Sequence, residues 1–244
     1  MSVNRRTHSS RPSPTGKSGR GAGSGSRTPP RRSQSERRQQ TRQALLDAAL
    51  DQLADGIRFD QLSLRRVARA AGVVPAAFYR HFDSMDELAL VLVEESVRTL
   101  RSMLREAREG GTPPERMIAS SVEILVSHVR EHRRHFAFIA DARSSSNTVL
   151  RHTIRNEIRL FASELATDLA RFPVLREWST ADLQLLAGLF VDTMIVAIDA
   201  LLESPASALA VEGPPGQASS EIAAQTEKRM RLIALGVPNW RSRP

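Results

Sequence analysis

The segment SLRRVARAAGVVPAAFYRHFDS, Ser63 to Ser84, decides the fold and carries most of the functional information in the chain. Ser63 is a favourable N-cap for a short helix, and Gly72 stands where a left-handed turn would end it. Pro75 suits the first position of a second helix, in which Phe78 and Phe82 are four residues apart and face the core together. This arrangement of two helices around a tight turn presents one helix to the major groove of DNA.

Helical periodicity continues on both sides of this segment, without a strand pattern or a repeat. The predicted fold class is therefore all-α, with an N-terminal three-helix head of helix-turn-helix type and a C-terminal helical body. We expect three short helices followed by six longer ones. The predicted units are a disordered arm over residues 1–35, the head over 36–83, the body over 84–236 and a tail over 237–244.

Positive charge is concentrated at the N-terminus. Residues 1–43 hold eleven of the 35 lysines and arginines and one of the 27 acidic residues, which is a formal net charge of +10 against −2 for the remainder. This arm is rich in Ser, Gly, Pro and Arg, and it has too few apolar side chains to offset the entropy of ordering. Two interpretations stay open, a solvated tail or an arm that binds DNA phosphates without sequence specificity.

Composition also bounds the class of protein. The chain of 244 residues is 41% hydrophobic and has no cysteine, which excludes disulfides and Cys-ligated metals and fits a cytoplasmic location. The stretch from Leu183 to Leu202 is long enough to cross a bilayer. Asp192 and Asp199 within it would each cost roughly 2.5–3.5 kcal/mol near the bilayer centre. We therefore predict a buried helix and no membrane partner.

The segment LSLRRVARAAGVVPAAFYRHFDSMDEL, residues 62–88, resembles the head of the TetR family of transcriptional regulators. The resemblance implies a DNA-binding head and a ligand-binding, dimerising body, without enzymatic activity or a cofactor. Within the family, residues 72–96 look closest to repressors of unsaturated fatty acid synthesis, which sense long-chain acyl-CoA. The implied effector is acyl-CoA and the implied role is control of fatty acid metabolism. The alternative is a relative that senses another apolar molecule, such as a drug or an efflux substrate.

The head contains the expected DNA-binding residues. The first residues of a recognition helix approach base edges, where Ala76 and Ala77 offer only apolar contact. Arg80 is the expected base reader, since Arg–guanine is the commonest specific pairing. The resemblance implies phosphate contacts from Tyr79 and His81. It also implies contacts to the DNA backbone from Thr41 and Arg42 of the first helix. The start of the second helix adds the candidates Ser63, Arg65 and Arg66.

The sequence of the body predicts a homodimer and an apolar cavity. The helix from Thr180 to Glu203 is apolar almost all round, so one face can pack on the body while the other, with the last helix, pairs with a second subunit. Family bodies bind effectors, and the predicted ligand-binding residues are Phe136, Phe138, Ile139, Arg143, Phe161, Leu165, Phe190 and Met194. The phosphates of acyl-CoA would need a basic rim, for which further candidates are Arg130, Arg133, Arg134 and Arg155.

Two other functions have some support in the sequence. His128, Glu131 and His132 match the H-x-x-E-H pattern of one class of zinc proteases, although the surrounding arginines would repel a cation. The N-terminal arm could alternatively make the chain a non-specific DNA-coating protein. Binding that salt abolishes, without a preferred palindrome, would favour that second function.

Overall fold

A computed structural model describes residues 33–109, 114–204 and 216–242, and these residues are helical throughout, with no strand among them. The helices are α1 (Gln34–Ala54), α2 (Leu64–Ala70), α3 (Pro75–Phe78), α4 (Met85–Glu109), α5 (Met117–Glu131), α6 (Arg133–Ser144), α7 (Thr148–Leu169), α8 (Thr180–Glu203) and α9 (Gln217–Gly236). The predicted all-α class, with a head ahead of a helical body, is confirmed.

Helix α1 begins earlier and is longer than the sequence predicts. Ser33 and Glu36 form a capping box, in which the Ser33 side chain accepts from the Glu36 amide and the Glu36 carboxylate accepts from the Ser33 amide. The helix then runs for 21 residues, so the first of the three head helices is much longer than the other two. The rest of the predicted arm, residues 1–32, lies outside the described residues.

Helix α6 also begins earlier than predicted. We expected it from about Phe136, whereas it starts at Arg133, and only His132 separates it from the end of α5 at Glu131. Arg133 donates to the carbonyl oxygens of Leu201, Leu202 and Ser204 at the end of α8. The Arg133 side chain thus satisfies helix-end carbonyls that have no partner within α8.

The head and the body share one hydrophobic core. Helix α6 carries Phe138 and Ala142 into the core of the head, where both are fully buried. The ring of Phe138 meets that of Phe59 edge-on, with centroids 6.3 Å apart. Leu150 and Ile154 of α7 join the same cluster. The boundary between head and body at residue 84 is therefore a division of the sequence and not of the core.

A polar seam reinforces this junction. The carboxylate of Asp141 accepts from the Phe59 amide at 2.7 Å and pairs with Arg58 at 3.4 Å. Asp60 accepts from the Ser145 hydroxyl and the Ser146 amide at 2.7 and 3.0 Å. The hydrogen bond from the Ser146 backbone is the largest cause that holds the pKa of Asp60 below its ordinary value, and the bond from the Ser145 side chain is the next. The end of α6 is thus bound to the turn that connects α1 and α2.

A second core lies within the body, where α8 packs against α7, α5 and α9. Helix α8 is the one helix among the described residues that is long and apolar enough to span a membrane, by length and composition alone, and 33% of its most apolar window is buried. Its inward side includes Leu186, Ala187 and Phe190. The predicted loop after α8 falls largely on residues 205–215, outside the described residues.

Replacing Phe138 with Ala should destabilise the whole chain by about 3–5 kcal/mol, because the substitution leaves a cavity in the core that head and body share. Chemical denaturation measures the effect, followed by circular dichroism and by the fluorescence of Trp178, a body residue packed on the second core. Both proteins carry Trp240→Phe, which leaves Trp178 as the one remaining tryptophan. The two signals should change together. The control Val149→Ala, at a side chain that is 58% exposed, should change stability by less than about 0.5 kcal/mol. Loss of helicity in Phe138→Ala without a change in Trp178 fluorescence would show that the head unfolds alone.

Candidate nucleic-acid interface and ligand cavity

The helix-turn-helix segment folds as its residues require. The Ser63 side chain accepts from the Arg66 amide at the start of α2. Gly72 adopts φ +69°, a left-handed conformation that most side chains resist, and so allows the tight turn between α2 and α3. Pro75 occupies the first turn of α3. Phe78 and Phe82 are both fully buried, as the spacing predicts.

Helix α3 is a single turn that continues as looser turns to Phe82. The amides of Arg80 and His81 bond to carbonyls three residues earlier, those of Ala77 and Phe78. Tyr79 is 63% exposed and Arg80 is also exposed, whereas His81 and Ala77 are half-buried. The exposed side of this segment therefore places a phenol and a guanidinium next to each other at the surface.

Helix α1 brings more positive charge to the same surface. Arg38 donates to the carbonyl of Arg80 at 3.3 Å, and the guanidinium of Arg42 lies 5.1 Å from the centre of the Phe82 ring. Burial, and after it the charges of Arg38, Arg42 and Arg80, hold the pKa of His81 below its ordinary value. His81 is consequently neutral at pH 7 and can offer one N–H donor to an anion.

The remaining predicted DNA-contacting residues differ in whether their side chains are exposed and in whether they bond to other groups of the protein. Ser63, Arg65 and Ala76 are exposed. Arg66 is exposed too, yet its Nε donates to Gln52 at 2.8 Å, and Thr41 donates to the Arg37 carbonyl at 3.0 Å. Sequence reasoning overlooked Arg38. Its position four residues before Arg42, on the same face of one helix, could have revealed it.

An apolar cavity of about 70 Å³ lies between α4, α5, α6, α7 and α8. Five of the eight predicted ligand-binding residues line it: Phe136, Ile139, Arg143, Phe161 and Met194. Phe138 does not, because it lies two residues from Phe136 on α6 and so faces the head on the opposite side. Leu165 and Phe190 pack into the second core and do not line the cavity.

Three charged residues line this cavity. Arg101 contacts Glu157 and, outside the lining, Glu164, both at 3.4 Å. Arg143 donates to Asp199 of α8 at 2.6 Å. Arg101 and Glu157 were absent from the predicted set, since neither stands out from the many surface charges of α4 and α7. The other predicted rim arginines do not line the cavity; they are Arg130, Arg133, Arg134 and Arg155.

The H-x-x-E-H residues are engaged with other side chains. His128 Nε2 lies 2.8 Å from the Glu106 carboxylate, and Glu131 accepts from the Ser127 hydroxyl at 2.8 Å. Within the described ranges, no group of three His, Asp or Glu side chains could hold a metal ion. The zinc interpretation therefore has no support in the described geometry.

Comparisons with known proteins agree with this geometry. The family model for bacterial regulatory proteins of the tetR family matches residues 45–92, from within α1 to within α4. A TetR-like transcriptional regulator from Rhodococcus sp. RHA1 has the same fold, with a TM-score of 0.59 and 19% identity over 80% of this chain and 96% of that one.

Two further solved structures share the fold at low identity. The fatty acid degradation regulator FadR from Bacillus halodurans has a TM-score of 0.56 and 16% identity, over 83% of this chain and 97% of that one. FadR from Bacillus subtilis, solved in complex with stearoyl-CoA, has a TM-score of 0.54 and 14% identity, over 80% of this chain and 98% of that one. Residues 45–92 thus match the tetR family model, and the described residues have the fold of these solved regulators.

Proposed function

We propose that the chain is a cytoplasmic, homodimeric repressor that binds a palindromic operator and responds to an acyl-CoA effector in the control of fatty acid metabolism. The observation that carries the DNA-binding part is the exposed basic surface around α3, where Arg38, Tyr79 and Arg80 lie side by side. Positive charge at this density attracts the phosphate backbone.

The DNA-contacting residues have distinct roles in this proposal. Arg80 reads a base edge, while Ala76 and Ala77 let the backbone of α3 approach the groove closely. Tyr79 and neutral His81 bind phosphates and so set position without reading sequence. Ser63, Arg65, Thr41 and Arg42 surround this centre, and Arg66 contributes from its position beside Gln52.

Replacing Arg80 with Ala should weaken binding to the preferred operator by about 1–3 kcal/mol, or roughly 5- to 150-fold, with a smaller effect on random DNA. Fluorescence anisotropy with an operator selected from a random pool measures both affinities. The control Arg98→Ala removes an exposed arginine from α4, away from α3, and should leave binding within twofold. Equal losses on operator and random DNA would assign Arg80 to a phosphate and not to a base.

The dimer is proposed from an uncovered apolar face. Leu185, Leu189 and Val196 are 53%, 44% and 49% exposed on one side of α8, and Leu232 and Leu235 on α9 are more exposed still. Contiguous apolar surface of this kind marks an interaction site. Pairing α8 and α9 with their copies in a second subunit covers it, and it also gives the two heads that a palindrome requires.

Replacing Leu189 with Glu should convert the dimer into a monomer, because it introduces a charge at the centre of this face. Light scattering after size-exclusion chromatography measures the mass. The matched control is Leu160→Glu, at a similarly exposed leucine of α7 (51%), which should remain dimeric. A folded Leu189→Glu protein that is still dimeric would place the interface elsewhere.

The effector is proposed from the cavity and from the neighbouring structures. The cavity is lined almost entirely by apolar side chains, which suit an acyl chain. Two FadR proteins share the fold, and one was solved with stearoyl-CoA. The resemblance of residues 72–96 to acyl-CoA-sensing repressors points in the same direction.

Cavity size favours a second candidate effector. Ligand pockets for drug-sized molecules occupy roughly 300–1,000 Å³, whereas this cavity is about 70 Å³. A long acyl chain can enter only if the surrounding helices move apart. A smaller apolar molecule requires less movement, so it remains the alternative to acyl-CoA.

Titration of the protein–operator complex with stearoyl-CoA tests the effector. If stearoyl-CoA binds one arrangement of the heads better than the other, operator affinity should change by five- to 150-fold, the range of typical coupling free energies. Free coenzyme A is the control and should have no effect, since it lacks the apolar chain. An unchanged operator affinity, with a response to a smaller apolar compound, would favour the second candidate.

A further inference from the structure

Arg143 takes part in two features of the structure, the apolar cavity and an ion pair with α8. Its side chain lines the apolar cavity, and it donates to Asp199 of α8 at 2.6 Å. Asp199 lines a separate cleft, of about 340 Å³, together with Leu53, Ala54 and Gly56 at the end of α1. The ion pair therefore separates the cavity from a cleft that borders the head.

Among the charged residues that line the cavity, Arg143 is the one most available to bind an anion. Arg101 has two carboxylate partners, Glu157 and Glu164, so its charge is already compensated. Arg143 is paired with one carboxylate, through a single nitrogen. A guanidinium has five N–H donors, so an incoming oxyanion can bind it beside Asp199 or in its place. The pair is also partly exposed, at 29% and 36%, and such ion pairs contribute little to stability.

The position of Arg143 in α6 would connect the replacement of Asp199 by an oxyanion to the head. Two residues before it, Asp141 accepts from the Phe59 amide, and two residues after it, Ser145 donates to Asp60. Arg143 itself holds the same end of α6 against α8. Loss of its bond to Asp199 would leave that end attached to the head but no longer to α8.

We propose that the effector is an amphiphile with an anionic group, and that this group binds Arg143 in place of Asp199. The apolar part of the ligand occupies the cavity and widens it. The anionic group releases the C-terminal end of α6 from α8, so that this end moves together with the head while Arg133 still holds the start of α6 to α8. The oxyanion is either the carboxylate of a fatty acid or a phosphate of its coenzyme A ester. This inference rests on the proposed regulatory function and assigns its ligand class.

Three ten-carbon probes test the inference by calorimetry: decanoate, decanoyl-CoA and uncharged decan-1-ol. The full-length protein should bind one of the anionic probes about tenfold more tightly than decan-1-ol, and the better anion identifies the source of the oxyanion. Arg143→Gln should abolish that preference, because it weakens binding of the anion far more than binding of decan-1-ol. Asp199→Asn should tighten anion binding several-fold, because it removes the competing carboxylate.

Operator affinity provides an independent readout. Asp199→Asn without ligand should shift it in the same direction as the anionic probe shifts the unmodified protein. Arg155→Gln is the control, since Arg155 is an exposed arginine that does not line the cavity, and it should keep the anion preference.

The outcomes separate this inference from the proposed function. Equal weakening of all three probes by Arg143→Gln and Asp199→Asn would mean that the pair only holds two helices together, which overturns the inference. A protein that binds the operator but binds the anionic probes no more tightly than decan-1-ol would also overturn the inference. The proposed regulatory function would then still stand. A protein that binds no operator but shows an anion preference dependent on Arg143 would contradict the proposed function and support the ligand assignment.

Discussion

The packing of Phe138 against the core of the head is the contact on which the rest of the structure depends. It joins α6 to Phe59 and thereby unites head and body in one hydrophobic core. The opposite face of the same helix, through Phe136 and Ile139, lines the ligand cavity. A side chain two residues along a helix points the other way, so one short helix serves both surfaces. Interior packing transmits displacement well because it is dense, and α6 is therefore the direct route between cavity and head.

The electrostatics of the head follow from how closely α1 approaches the end of α3. The contact of Arg38 with the Arg80 carbonyl brings arginines from two helices to one surface. Their mutual repulsion disfavours another cation nearby, which together with burial keeps His81 uncharged. A polyanion bound at this surface would relieve the repulsion between these arginines and would release its own condensed counterions. The surface is thus electrostatically suited to a polyanion such as DNA.

The body combines a small cavity with a weakly held junction. At a volume of about 70 Å³, the cavity could take a larger molecule only if the surrounding helices moved apart. The contacts that would resist such a movement at the C-terminal end of α6 are unequal, since Phe138 is completely buried while the Arg143–Asp199 pair is partly exposed. This end of α6 is therefore held more firmly to the head than to α8.

Local signals predicted most of the head. Caps at Ser63, the turn at Gly72 and the spacing of Phe78 and Phe82 depend on interactions within a few residues, and all three were visible in the sequence. The partner of a side chain was not visible in the same way. The sequence predicted a helix from about Phe136 but could not distinguish the face of Phe136 from that of Phe138, because both residues are aromatic and apolar.

Long-range contacts arose only from packing. Arg143 and Asp199 are 56 residues apart, and neither carries a local mark that would identify the other. The same holds for Arg38, which became a neighbour of Arg80 only when α1 folded across the head. The linear chain thus determined which helices form and that the head has the helix-turn-helix arrangement typical of DNA-binding proteins, since these rest on short-range patterns. The tertiary structure decided which residues share a cavity and which hold head and body together, because those depend on where separate helices meet.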